Sequence, residues 1–498
     1  MSTTAEKPPV RYAGFTRPRM VGLGDMSLPA SLAILADLVV VMLTYNTVGW
    51  VGKSILVGQL LALTAACTFK NADGESQWAR LTRRVRHAVY WRAGITRYRA
   101  SLVSEQKLTG VLSESVALEY DTGLGQRFAL IHHPYAQQYA VVLKCRPTGG
   151  ERNDRRHKDQ MTANWGAFGA ALGNIPNAAQ YTVVTESAPR SQAEARSTME
   201  SFVQEDSNDL AAQITRERID LGVSSHSGNT TYVTVTFHAT EKGTTAKAKD
   251  ANALHIAQLL PGIIQRLTIS GAGTVTPATE ADLAEYVRAA IDPQARPFIE
   301  EARAKGQDTG VTWANCGPMA MTPHYDYLIH DQAISQTLVL TKAPAGAITD
   351  DVLRNILAPH PDIEIKRVAL IKQVIEVGRA AVLTSRDAGN AELRREGNRR
   401  SGAARLEEQI ANRTADEHAA GHGLEDFTIV ITVTVTDPTH LAQAVQVVRS
   451  QLGPGAGFRF RPALDKQDTG FYYALPAGLD LHAHSATESV QRAATTAH

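Results

Sequence analysis

The chain has 498 residues, more than one compact core usually holds, so we expect several domains. Apolar residues make up 43% and charged residues 20% of it, a composition that excludes global disorder. The net charge of +1 excludes a uniformly basic nucleic-acid coat protein, but the charge is unevenly placed. The first 107 residues carry 14 Lys and Arg against 6 Asp and Glu, and the remainder carries 37 against 44. This basic head of +8 on an acidic body of −7 indicates contact with a membrane or a nucleic acid.

Two apolar blocks in the basic head predict a transmembrane hairpin. Leu28–Tyr45 and Ser54–Phe69 both approach the roughly 20 apolar residues that a helix needs to cross the hydrocarbon. The short segment between them includes Trp50 and Lys53, two side chains that suit the headgroup level of a bilayer. Neither block has a charged face, which argues against a helix lying flat on the membrane. The alternative is a buried hairpin in the core of a soluble domain.

Charged residues around the two blocks predict their orientation. Both outer flanks are rich in Lys and Arg, and such flanks stay in the cytoplasm. We therefore expect a multi-pass protein of the cell membrane whose two termini and main body are cytoplasmic. Asp37 lies in the middle of the first block, where a carboxylate in hydrocarbon is costly. It either faces the interior or a partner, or it lies near an interface in a thin or tilted hairpin, and the sequence leaves both open.

A basic helix is predicted directly after the hairpin, over Trp78–Arg99. It combines aromatic side chains with a run of cations that includes Arg83, Arg84 and Arg86. Such a helix is a solvated face, a surface that contacts the anionic inner leaflet, or a nucleic-acid binder that uses arginine and aromatic stacking. Its position beside the membrane favours the leaflet, with Trp91 and the three arginines as contact residues.

The rest of the chain predicts an α+β body. Three strand-like runs separated by turn residues are typical of a β-meander. A pattern of strand, helix, strand, long helix, strand, helix, strand then occurs twice, and its order resembles the split βαβ of ferredoxin-like folds. The meander runs are Leu112–Tyr120, Arg127–His132 and Gln138–Cys145. The first copy is Tyr139–Cys145, His157–Leu172, Ala179–Glu186, Ser191–Leu221, Thr231–Ala239, Ala246–Leu260 and Leu267–Val275, and the second is Gln336–Thr341, Asp350–Ala358, Asp362–Ile371, Lys372–Gly421, Phe427–Asp437, Pro438–Leu452 and Gly457–Arg461.

The long helical region of the second copy, Lys372–Gly421, predicts an arm that projects from the core. Its charges alternate in sign, which is typical of a solvated helix or of one that binds a partner. Gly397 and Gly402 each weaken a helix by about 1 kcal/mol, so we expect a kink there. The predicted divisions are a membrane hairpin (1–75), a basic juxtamembrane helix (76–110), a first α+β half with the meander (111–292), a linker (293–335), a second α+β half (336–476) and a polar tail (477–498).

No sequence motif predicts catalysis, and we expect no enzyme activity, no cofactor and no metal site. Gly52-Lys53-Ser54 has the ending of a phosphate-binding loop, but Thr47 stands where the leading glycine is needed. His132-His133 precedes a proline and indicates a turn. His418 and His422 have a spacing that suits a metal, but no glutamate base lies between them. The three cysteines lack CxxC spacing, which favours a reducing compartment over a disulfide framework.

Several stretches carry a resemblance to a known family. They are Tyr12–Arg19 with Gly22–Gly24, Gly125–Pro134, Trp313–His330 and Gly470–Pro476. On these the chain resembles an actinobacterial conjugative-element membrane protein family, in which a PrgI-type hairpin precedes a domain like the amino-terminal part of the conjugation ATPase. The resemblance implies a membrane-anchored component of a type IV secretion or conjugative DNA-transfer apparatus.

The same resemblance implies the partners. They are the lipid bilayer and other subunits of the secretion machine, among them a motor ATPase, and a homo-oligomer is compatible with it. The sequence ends where the motor domain would follow, which favours a non-enzymatic scaffold or adaptor. The alternatives are a membrane component of a type VII secretion system and a membrane-tethered nucleic-acid-binding protein.

Overall fold

The structure, a computed structural model, is a mixed α+β protein built on one large antiparallel sheet, so the predicted α+β class is confirmed. Residues 1–27, 420–422 and 482–498 lie outside the residues that the structure describes, and so does almost all of the predicted helix over 191–221. The structure describes residues 28–71, 75–101, 106–123, 125–147, 154–189, 227–344, 348–349, 351–397, 402–419, 423–452 and 457–481, with positions 210, 211, 213, 214 and 217.

Among the described residues, three helices precede the sheet: α1 spans Leu28–Thr44, α2 spans Trp50–Thr68 and α3 spans Gln77–Arg92. The first two coincide with the predicted apolar blocks, although α2 begins four residues earlier than predicted. The third ends seven residues before the predicted Arg99. Gly94 interrupts it with a left-handed backbone (φ 69°), a conformation that glycine adopts without steric cost.

Strands and helices alternate through the body. The strands are β1 Tyr98–Arg99, β2 Val116–Asp121, β3 Arg127–His133, β4 Gln138–Arg146, β5 Ala178–Pro189, β6 Ser227–His238, β7 Thr274–Pro277, β8 Ala320–Pro323, β9 Leu328–His330, β10 Ala333–Lys342, β11 Ile365–Val374, β12 Glu425–Val435 and β13 Arg459–Pro462. The helices are α4 Arg155–Leu172, α5 Ala246–Leu267, α6 Glu280–Ile291, α7 Arg296–Ala304, α8 Arg354–Leu357, α9 Val377–Gly397, α10 Gly402–Ala419, α11 Leu441–Gln451 and α12 Gln467–Tyr473.

The strands in the described part of the chain form one sheet of thirteen. Their order is β1-β8-β9-β10-β12-β11-β5-β6-β4-β3-β2, with β13 pairing with β10 and β7 pairing with β4. Each pair of neighbouring strands runs antiparallel. β2, β3 and β4 are neighbours in chain order, so the predicted meander is confirmed. His132 and His133 end strand β3 and were wrongly assigned to a turn.

Four strands in each half of the sheet repeat one order. The first half has β7-β4-β6-β5 and the second has β13-β10-β12-β11, so the fourth, first, third and second strands of each repeat are neighbours. The two second strands, β5 and β11, pair with each other at the centre, where Arg367 stands opposite Glu186. The two halves therefore share one continuous sheet and one seam.

Helices cover both faces of the sheet. On one face, α4 and α5 pack on the first half and α11 packs on the second. On the other face, α6, α12 and the segment 474–481 form a core that reaches both halves, from Ala140 and Val184 to Ala369 and Val430. Because alternate side chains of each strand point to opposite faces, a sheet covered on both sides buries both sets, and buried polar ones such as Thr234, Thr236 and Thr434 are hydrogen-bonded.

Helix α5 runs further than predicted. The sequence indicated an end at Pro261, but the helix continues to Leu267 and a π-helical turn follows before the short strand β7. Leu260, Ile263 and Leu267 are all buried in the core under the sheet. Burial of these side chains outweighs the hydrogen bond that the proline removes.

Residues 293–335, predicted as a linker, are part of the folded body. They form α7, β8 and β9, and Trp313 and Cys316 are buried in the core. The sequence of this stretch is mostly polar, and its few buried apolar residues do not form a recognisable pattern. Ala477 and Leu479, at the start of the predicted polar tail, are likewise buried under the sheet.

The predicted arm is a pair of helices. α9 ends at Gly397 and α10 begins at Gly402, so the helix breaks where the two glycines stand. The helices pack on each other, and an ion pair from Arg395 to Glu408, 2.7 Å long, joins them. A helix pair of this kind buries part of its own surface, which one long helix does not.

Candidate membrane interface

The first two helices expose an unusually large apolar surface. Trp50 is 84% exposed and Leu61 is 65% exposed, and within α2 only Cys67 is buried. Soluble monomers rarely leave contiguous apolar patches of more than a few hundred Å² open to water. The exposed apolar side chains of the pair are Leu32, Leu35, Leu38, Val39, Val40, Met42, Leu43, Tyr45, Trp50, Val51, Ile55, Val57 and Leu61.

Polar side chains on these two helices bond within the pair. Asp37 of α1 accepts a hydrogen bond of 2.8 Å from the Gln59 Nε2 of α2. The hydroxyls of Thr44, Ser54 and Thr64 each donate to the backbone carbonyl four residues earlier, and Thr68 does the same. In hydrocarbon no water is present to satisfy such groups, so internal hydrogen bonds are what a membrane requires. The Asp37 contact also places this side chain against α2, and both predicted positions of Asp37 stay open.

The predicted headgroup residues lie in the first turn of α2, beside the connection to α1. Trp50 begins α2, and the Lys53 ammonium lies 4.7 Å from the centre of the Tyr45 ring. Both aromatic rings are exposed. Aromatic rings and a cation at one end of an apolar helix pair match the composition of the membrane–water boundary.

By length and composition, only one helix of the described chain, Trp50–Thr68, could cross a membrane. α1 has 17 residues, which corresponds to about 26 Å at 1.5 Å per residue, against a hydrocarbon thickness of about 30 Å. The predicted multi-pass arrangement is therefore not supported by helix length.

Helix α3 holds Arg83 against the protein. Ser76 caps its first turn by accepting a hydrogen bond from the Ala79 amide. The Arg83 guanidinium contacts the Glu75 carboxylate, and burial together with nearby Arg461 lowers the pKa of Arg83. Arg83 is thus a largely enclosed side chain in the described structure.

Asp465 is the main acceptor for this helix. Its Oδ2 accepts a hydrogen bond of 2.8 Å from the Arg86 Nε, and its Oδ1 lies 3.2 Å from the His87 Nδ1. The Asp465 side chain is buried, and its backbone is left-handed with φ 65°. Asp tolerates that conformation better than most residues, which helps to keep the carboxylate aimed at α3.

The remaining two predicted contact residues lie on different sides of the helix. Trp91 stacks on His87 and packs at a tilt against His324, and the Arg97 guanidinium stands 4.4 Å from the centre of its ring. Trp91 therefore packs on the body, while Arg84 is exposed. Of the predicted set, Asp37 and Lys53 lie at the first helix pair and the three arginines lie on α3.

The sequence interpretation missed two features of this region. Leu81, Val85 and Val89 form an exposed apolar stripe on α3, and Asp465 anchors the opposite side of the helix. The spacing of the stripe at i, i+4 and i+8 is visible in the sequence and is the signal that could have found it. Nothing near Asp465 in the sequence indicates its partner.

Candidate catalytic residues are not brought together. Gly52, Lys53 and Ser54 lie in the first turns of helix α2, where the Lys53 amide donates to the Gly49 carbonyl, and they do not form a phosphate-binding loop. His132 is buried beside Tyr139, and burial lowers its pKa to about 4. Among the described residues, no group of three or more His, Cys, Asp and Glu side chains could hold a metal ion.

A scan against models of known protein families found no match, and a search of the curated proteins found none either.

Proposed function

We propose that this chain is a membrane-anchored, non-enzymatic structural or adaptor component of a type IV secretion or conjugative DNA-transfer apparatus. One observation carries the anchor: α2 is long and apolar enough to cross a membrane and is almost wholly exposed. Burying such a helix in a bilayer removes its apolar surface from water at roughly 25 cal/mol per Å².

In this proposal α1 accompanies α2 in the membrane. The Asp37–Gln59 hydrogen bond joins the helices, and the backbone-bonded hydroxyls leave few polar atoms facing lipid. A pair of crossings would place both ends of the chain on one side. The arginine-rich flanks indicate that this side is the cytoplasm.

Two features of the folded body support the proposed role as a scaffold. The order of strands four, one, three and two in both halves is the order of the split βαβ, and we propose that the halves are ferredoxin-like repeats. At the seam, the buried Glu186 carboxylate pairs with both Arg296 and Arg367, as expected of a structural ion cluster. The exposed arm of α9 and α10 is the surface we assign to contact with another subunit, and the family resemblance suggests that this subunit is a motor ATPase.

The anchor is tested with matched substitutions. Ile55→Lys combined with Leu61→Lys places two charges on α2, and Leu254→Lys combined with Ile269→Lys places two on comparably exposed apolar positions of the body, away from the arm. Each lysine at the centre of a membrane helix costs about 2.5–3.5 kcal/mol. We expect the α2 variant to leave the carbonate-resistant membrane fraction while the body variant stays in it. Equal extraction of both variants, or a wholly soluble wild type, would contradict the anchor.

The number of crossings is tested with an epitope tag at the amino terminus. If α1 and α2 both cross, the tag is protected from protease added outside intact cells and is cleaved in inverted vesicles. Cleavage outside intact cells would mean that α2 crosses alone.

The role in transfer is tested by deletion and complementation in the source cells. We expect DNA transfer to stop on deletion and to return with the wild type or the body variant, but not with the α2 variant. Unchanged transfer after deletion would contradict the proposed apparatus.

A further inference from the structure

Helix α3 presents its two sides in the reverse of the usual arrangement. A surface helix normally packs its apolar stripe on the core and turns its charges to solvent. Here Arg83 and His87 face the protein and the Arg86 guanidinium, 44% exposed, bonds to it, whereas Leu81 and Val89 are both 56% exposed. Val85, between them, is 54% exposed.

The polar side of α3 is firmly held. Glu75 contacts Arg83 and lies 3.7 Å from Arg461, and Asp465 accepts from Arg86. These contacts tie the helix to the β13–α12 region and fix which side turns outward. The outward stripe is therefore set by the fold, because turning it inward would break these charged contacts.

The position of α3 indicates what covers its stripe. The helix begins nine residues after the last residue of α2, and the chain between them is closed by an Asn71–Glu75 backbone hydrogen bond of 2.9 Å and a Lys70–Ser76 bridge. The end of α2 contacts α3 directly. The short connection thus keeps α3 close to α2.

Cations frame the outward stripe. Arg84 and Arg86 are exposed on α3, and on a helical wheel they lie about 100° to either side of the centre of the stripe, while the exposed Arg92 lies in line with it at the end of the helix. An apolar stripe framed by arginines is the composition of helices that lie in the plane of a membrane surface, with cations at the anionic headgroups.

We propose that α3 lies in the lipid–water interface, with Leu81, Val85 and Val89 inserted at the headgroup–acyl boundary. Arg83 and Arg86, which pair with Glu75 and Asp465, serve as a clamp that fixes the orientation of the sheet relative to the membrane. The inference rests on the proposed anchor, because α2 brings α3 to the bilayer. It changes the main expected lipid contact from the three arginines to the apolar side.

Spin-label accessibility in the full-length protein tests the proposal. Single cysteines replace Val85, Val89, Leu61 or Leu254, and the protein is reconstituted into vesicles of phosphatidylethanolamine and phosphatidylglycerol. The native cysteines are buried and leave the introduced ones as the accessible labelling sites. We expect the ratio of oxygen to nickel-complex collisions at positions 85 and 89 to exceed that at 254 about threefold, and position 61 to exceed it further.

The four positions separate the inference from the proposed function. A lipid-like ratio at 61 with a water-like ratio at 85 and 89 would overturn the interfacial helix and leave the anchor standing. Water-like ratios at 61, 85 and 89 would overturn both. Spin–spin broadening between labels at 85 on different chains, removed by dilution with unlabelled protein, would assign the stripe to a second copy and also overturn the lipid contact.

The clamp is tested by distances between labels at positions 85 and 254. We expect the distance distribution to broaden about twofold in Arg86→Gln and in Asp465→Asn, and asparagine suits the left-handed backbone at 465. Arg84→Gln removes an exposed arginine of the same helix and should leave the distribution unchanged. Equal effects of Arg84→Gln and Arg86→Gln would overturn the clamp, as would no effect of either clamp variant.

Discussion

Replacing Glu186 with glutamine should strongly destabilise the body, because its carboxylate lies between two arginines at the seam of the sheet. The Glu186 Oε1 accepts a hydrogen bond of 2.6 Å from Arg296, and its Oε2 stands 3.2 Å from the Arg367 Nε. The exposed fractions of the Glu186 and Arg367 side chains are 1% and 0%. Arg367 also lies over the Phe471 ring and donates to the Ala290 carbonyl, so it cannot turn to water.

The magnitude follows from burial of the uncompensated charge. Glu186→Gln keeps the shape but leaves Arg367 wholly buried without a carboxylate, and breaking a buried ion pair in this way costs about 3–5 kcal/mol. Arg367→Met removes the charge that lacks access to water and leaves Glu186 paired with Arg296, so its cost should stay below about 2 kcal/mol. Adding Arg367→Met to Glu186→Gln should therefore recover part of the lost stability.

The assay is a double-mutant cycle on the detergent-solubilised protein. Urea unfolding gives the free energy of unfolding for the wild type, the two single variants and the double variant. We expect Glu186→Gln to lose the most and the double variant to be more stable than Glu186→Gln alone. The reasoning would be refuted by a Glu186→Gln loss under about 1 kcal/mol, or by losses of the two single variants that simply add.

Three smaller predictions follow from other buried contacts. Burial lowers the pKa of His330 to about 4, so between pH 6.5 and 4 only the unfolded chain binds the proton. The free energy of unfolding should therefore fall by up to about 3 kcal/mol on acidification through this window. His330→Asn should flatten that part of the pH profile of urea unfolding. Gly478→Ala should lower the free energy of unfolding by about 2–4 kcal/mol in thermal unfolding, because φ is +69° and the new Cβ would lie 2.4 Å from the Ala140 Cβ. Gly123→Ala, also at positive φ but in open space, should lower it by only about 1–2 kcal/mol. Arg395→Ala removes an exposed ion pair between the helices of the arm and should leave the unfolding free energy unchanged within the error of urea unfolding, and a measurable loss would mean that the pair is shielded from water.

Local patterns in the sequence were enough to place most of the elements. The period-two runs of β6 and β12 and the two apolar blocks depend on residues close together in the chain, and the structure has a strand or a helix at each of them. The break in the arm at Gly397 also followed from local propensity. The composition of the apolar helices likewise indicated a membrane before any fold was known, and that function stays a prediction.

The tertiary structure decided what neighbouring residues cannot determine. The pairing of β5 with β11, which joins the halves into one sheet, depends on strands that are far apart in the sequence. Pro261 lies inside a helix because its neighbours are buried under the sheet. The sequence shows a stripe and a row of cations on α3, but the side that faces the protein depends on Asp465, which is 379 residues from Arg86. Helical spacing determines which residues share a face, and only the charged partner brought close by the fold determines where that face points.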